Sequence, residues 1–80
     1  MIPTKEENPN GLHLKYYITK VDGTPVDPDA EYFLLRLDEK ATDLRHVNAC
    51  RQAVCTYANA IQEFFPELAK DLLNRYSSPV

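Results

Sequence analysis

The sequence contains no apolar run that could cross a membrane. Its longest uncharged helical stretch, Gln52 to Gln62, falls well short of the ~20 residues a span requires. The opening MIPTKEENPNG lacks the apolar centre of a secretory signal, so the expected address is cytoplasmic. Cysteine is scarce: Cys50 and Cys55 stand five apart on what reads as one helix, which turns their side chains about 140° away from each other. They cannot bridge within the chain, and reduced thiols in a reducing compartment are expected. Excess positive charge is also lacking. Nine Lys plus Arg against twelve Asp plus Glu give a net charge of -3, which argues against a nucleic-acid or anionic-membrane binder working through a broad basic field. There is no internal repeat, no low-complexity tract and no established catalytic or cofactor signature. The expectation is a protein that is not an enzyme and has no cofactor and no structural metal.

Eighty residues make one small domain. A chain of this size buries only somewhat more than ~60% of its unfolded surface, so a homo-oligomer is expected to supplement a marginal core. Glycine and proline are confined almost entirely to the two ends. Both glycines and four of the six prolines fall within the first 28 residues, and none lies between Asp29 and Phe65. Turns should therefore crowd the first third. Residues 1–11, rich in Pro, Asn, Lys and Glu, read as a flexible N-terminal arm, residues 12–77 as a single domain and residues 78–80 as a C-terminal tail.

Within the domain, LHLKYYITKV (12–21) alternates Leu14, Tyr16 and Ile18 with Lys15, Tyr17 and Thr19, the pattern of a strand. Asp22-Gly23 signals a turn, which two prolines extend into a loop. EYFLLRLD (31–38) supplies a second strand, with Phe33, Leu35 and Leu37 on one face and Tyr32, Leu34 and Arg36 on the other. The period then changes. Thr42 or Asp43 can cap a helix in which Arg45, Asn48, Gln52, Thr56, Asn59 and Glu63 form a polar stripe opposite Leu44, Val47, Val54, Ala58, Ile61 and Phe65. Pro66 should stop that helix after about six turns and open a second, shorter one, with Leu68, Ala69, Leu72, Leu73 and Tyr76 on its inner face and Ser77-Ser78-Pro79 at its end. The expected fold class is α+β, a β-hairpin followed by one long and one short helix (ββαα).

KYYITKVDGTPVDPDAEYFLLRLD, DLRHVNACRQAVCTYANAI and PELAKDLLNRY together resemble a group of short uncharacterised proteins encoded in bacteriophage and prophage genomes. Those share a "KY-x-V-x-K-x-DG" opening, an "F-V-L-R" segment, a helix containing "A-A-L-x-A-Y-A" and a closing "LA-x-DL". The resemblance spans roughly residues 15–76 and implies a viral or prophage origin, action in the host-cell cytoplasm and the ββαα fold. It carries no catalytic residues with it. Cys50 and Arg51 depart from the pattern, which makes them the positions most particular to this chain.

Several residues are candidates for chemistry. Asp43, His46 and Cys50 recur at i, i+3 and i+7 and are ligand types that zinc accepts, but one chain supplies no fourth ligand. A cap, a boundary histidine and a buried thiol behaving as a small hydrophobe are the more ordinary account of them. Arg36, Arg45 and Arg51 lie near the start of the long helix, where guanidinium forks suit an anion. The ligand-binding set expected on this basis is Arg36, Arg51, His46 and Tyr57, holding a nucleotide-like small molecule. Against it stands a plainer account, in which Arg36 pairs with Asp38 or Glu31 and Arg51 spreads its stem over the core. Tyr16, Tyr17, Tyr32 and Tyr57 give large amphipathic area suited to interfaces. Two functions follow: a binding protein that sequesters a nucleotide-like anionic signal from host defence, or an inhibitor or phage accessory factor that docks on a host protein through its tyrosines.

Overall fold

The computed structural model describes residues 1–80 and contains two helices, α1 (Leu44–Ile61) and α2 (Pro66–Tyr76), with no strand. The chain divides into two compact units, Met1–Leu34 and Leu35–Val80.

In the second unit, helix starts and stops follow from side-chain chemistry. The Asp43 carboxylate accepts the His46 backbone N–H at 3.2 Å and satisfies one of the donors that the first turn leaves unpaired. α1 ends at Ile61, four residues before the expected limit. The Ile61 carbonyl accepts from both Phe64 N at 3.0 Å and Phe65 N at 2.8 Å, closing the chain into a turn. The cause is Pro66, whose ring disfavours helical geometry at Phe65 (φ -131°, ψ 65°). As the first residue of α2, Pro66 costs no hydrogen bond, because that position has no intrahelical acceptor. Glu67 in the first turn of α2 and Arg75 in the last complement its dipole, and Ser77 N closes the helix on Leu73 O at 3.2 Å.

α1 and α2 pack on one another through Ala58, Ile61 and Ala69, with Leu72 and Leu73 against them. Alanines at the contact let the two backbones approach closely. Val47 and Cys50 complete the buried set. Val54, on the expected apolar stripe, is half-buried, whereas Leu44, Phe65 and Leu68 are exposed.

The hairpin expected from residues 12–21 and 31–38 does not form, and the chain is all-α rather than α+β. Alternation marks a strand only if one face is buried, and no residue of Met1–Leu34 is. A two-stranded sheet without a packed face is marginal in water. The backbone bonds of this unit are local instead. Gly23, at φ +85°, donates to Lys20 O at 3.0 Å in a turn, and Asp22 accepts from both the N–H and the hydroxyl of Thr24. Ala30 N reaches Asp27 O at 3.0 Å, and Asp27 accepts from Asp29 N. Leu14 N donates to Pro3 O at 2.9 Å, which ties the first expected strand to the opening segment rather than to the second one. That opening segment has its own turn, in which Thr4 and Glu7 cap each other reciprocally.

Candidate functional site

Arg36 lies in the loop before α1 and forms a two-point pair with Asp38: Nε donates to Oδ1 at 2.6 Å and Nη2 to Oδ2 at 3.2 Å. The guanidinium hydrogen bond is the main cause that holds the Asp38 carboxyl below its ordinary pKa of 3.8. Asp38 also accepts Lys40 N at 3.2 Å. This is the pairing weighed against an anion-binding role for Arg36.

Arg51, at the middle of α1, bonds main-chain oxygens on either side of the helix pair. Nε donates to Leu37 O at 2.8 Å and Nη1 to Ser78 O at 2.9 Å, while the guanidinium carbon sits 5.5 Å from the centre of the Tyr76 ring. Arg75 approaches the same ring at 5.8 Å. Arg51 is thus a staple joining the segment before α1 to the segment after α2. His46 Nε2 lies 3.6 Å from the Cys50 sulfur one turn away, and Tyr57 is half-exposed farther along α1. Arg51, His46 and Tyr57 share no hydrogen bond with one another.

Cys50 is buried, only 3% exposed, with the His46 imidazole beside its thiol. Asp43 is engaged as the helix cap, and no group of three His, Cys, Asp or Glu side chains lies close enough to hold a metal ion.

Sequence reasoning missed a groove of about 480 Å³ on the polar side of α1, lined by Asn48, Arg51, Gln52, Cys55 and Thr56 and by the segment Tyr76 to Pro79. Asn48 binds Val80 at both main-chain positions, accepting its N–H at 2.7 Å and donating to its carbonyl at 3.3 Å. The Cys55 thiol donates to Tyr76 O at 3.5 Å. Asn48, Arg51 and Cys55 recur at helical spacing, but the sequence carries no mark of their partners, which are main-chain atoms.

The second candidate surface is apolar. Between residues 12 and 34 the chain exposes Leu12, Leu14, Tyr16, Tyr17, Val21, Tyr32, Phe33 and Leu34, with Tyr17 at 93% and Phe33 at 71%. Water meets these side chains without any core beneath them.

No family model, curated protein or solved structure matches the chain. The functional reading therefore rests on these two surfaces.

Proposed function

We propose that the chain is a non-enzymatic binding protein that docks on a protein partner through the tyrosine- and leucine-rich surface of residues 12–34. One observation carries this reading: residues 1–34 bury no side chain and expose eight large apolar ones between Leu12 and Leu34. Large apolar side chains left in water are what a partner can cover, and aromatic residues are enriched at interfaces. In the phage setting that the sequence pattern suggests, the partner is a host protein and docking inhibits it. Sequestration of a nucleotide-like anion draws less support, because it needs donors from Arg36 and Arg51 that are engaged with Asp38, Leu37 and Ser78.

The test places a photoreactive side chain at Tyr17 in the full chain, identifies the cross-linked protein and titrates it in purified form. Replacing Tyr17 and Phe33 together by Ser should weaken the complex at least tenfold. Unchanged affinity in that variant would remove the surface from the interaction. Depletion of one nucleotide from a mixture by the pure protein would restore the anion reading in its place.

A further inference from the structure

Charge divides the surface of residues 12–34 into two segments of opposite sign. Residues 12–21 carry Lys15 and Lys20 and no carboxylate, whereas residues 22–34 carry Asp22, Asp27, Asp29 and Glu31 and no cation. The two sets do not pair within the chain. Neither lysine has an ion pair, Asp22 and Asp27 accept hydrogen bonds only from their own turns, and Glu31 faces the amino terminus at 3.5 Å. The main chain is equally open: no N–H or carbonyl of Lys15 to Thr19, or of Tyr32 to Leu34, forms a hydrogen bond. Each segment therefore lacks what the other offers, namely opposite charge, main-chain partners and apolar cover.

The area suits a dimer as well. An ordinary interface buries about 800 Å² on each side. Tyr16, Tyr17, Tyr32 and Phe33 are half-exposed or more, and aromatic side chains bury about 150–250 Å² apiece, so these four supply about half of it. Leu12, Leu14, Val21 and Leu34 add to them.

We propose that two copies of the chain cover this surface for one another, residues 12–21 of each lying against residues 22–34 of the partner subunit. The arrangement is two-fold, with the same contact made twice. Pairing like with like is disfavoured, since it would set lysines against lysines or four carboxylates against four. The inference rests on residues 12–34 being a docking surface and names what covers it in the free protein.

The test is the assembly state of the full chain, followed by sedimentation. The native protein should be a monomer at low micromolar concentration, its residues 12–34 uncovered, and a dimer toward millimolar, and added salt should weaken the dimer. Lys15→Glu with Lys20→Glu should weaken it roughly tenfold or more, and so should Asp27→Lys, Asp29→Lys and Glu31→Lys together. All five side chains are exposed and outside the helices, so helical circular dichroism should be unchanged in both variants. Mixed in equal amounts, the two variants should form a heterodimer about as tight as the native dimer, because opposite charges then meet at both contacts. Tyr17→Ser with Phe33→Ser should also weaken the native dimer roughly tenfold or more. Glu63→Lys with Asp71→Lys, outside the surface, should not weaken it. A chain that stays monomeric to millimolar concentration overturns the inference, while a protein cross-linked at Tyr17 would still place a partner on the surface. A dimer that ignores the charge reversals or the Tyr17 and Phe33 changes, or charge variants that fail to complement one another, overturns it too.

Discussion

Residues 35–80 and residues 1–34 are held by different physics. The first region buries Val47, Cys50, Ala58, Ile61 and Ala69 and carries both helices. The second buries nothing and is shaped by turns whose caps are the carboxylates of Glu7, Asp22 and Asp27 and by single backbone bonds. Apolar residues are somewhat rarer in the second region, 13 of 34 against 22 of 46, but composition is not the main difference. What it lacks is an element with a 3.6-residue period, which can turn one stripe inward against another such stripe. A helix satisfies its own backbone and needs only a partner for one face. A strand needs a partner for its backbone and a cover for a face, and residues 1–34 supply neither.

The largest test of that contrast is Ile61→Ala. Ile61 sits where α1 meets α2, and removing it should cost about 2–5 kcal/mol, comparable to the whole stability of so small a core. Helical circular dichroism in urea should show the loss as unfolding of both helices together. If the two melted separately, the core would not be one cooperative unit. Next in size, Asp43→Ala removes the cap of α1 and should lower stability by ~1 kcal/mol. Asp43→Asn should restore most of it, and an unchanged stability in Asp43→Ala would show that the cap contributes nothing.

Acid separates the two regions by a smaller effect. Asp38 and Asp22 both titrate below the ordinary value of 3.8, Asp38 through the Arg36 hydrogen bond and Asp22 through the Thr24 side chain. A carboxyl depressed by folding contributes stability above pH 3.8, and that contribution is lost as pH falls through its lower folded value. Carbon-detected titration by NMR should find both midpoints below 3.8. Amide shifts of Thr24 should follow Asp22 while the helical signals stay in place. A midpoint at or above 3.8 for Asp22 would mean that its turn does not persist in solution.

The smallest expected change in stability is that of Tyr17→Ser, within ~0.5 kcal/mol, because the ring touches almost nothing. Amides of residues 12–34 should likewise exchange near the rate of an unfolded chain, while those of Val47 to Ile61 are protected. Protection of residues 12–34 in the isolated protein would reveal a core that the two regions do not otherwise show.

The helical half of the fold was legible, since its signals are local. The Asp43 cap, Pro66 at the first position of α2 and the stop at Ser77 each depend on chemistry within four residues. The end of α1 was misplaced by four residues, because the influence of Pro66 reaches back through a turn that periodicity does not register. Residues 12–21 and 31–38 carried every local mark of strands except a partner for the backbone. Arg36 and Arg51 were both identified as special. The partners of Arg51 were not, since Leu37 and Ser78 offer backbone atoms that look alike at every position.

What the sequence determined by itself was that there are two helices, where each begins, where α2 ends and which stripes face inward, because these follow from periodicity, capping and proline geometry over a few neighbouring residues. Only the tertiary structure decided that the alternating segments stay unpaired, that Arg51 bonds the main chain of Leu37 and Ser78, and that Asn48 pairs with both main-chain groups of Val80. Each of those depends on which residues distant in the chain come within hydrogen-bond reach, and the sequence encodes that only through the packing it produces.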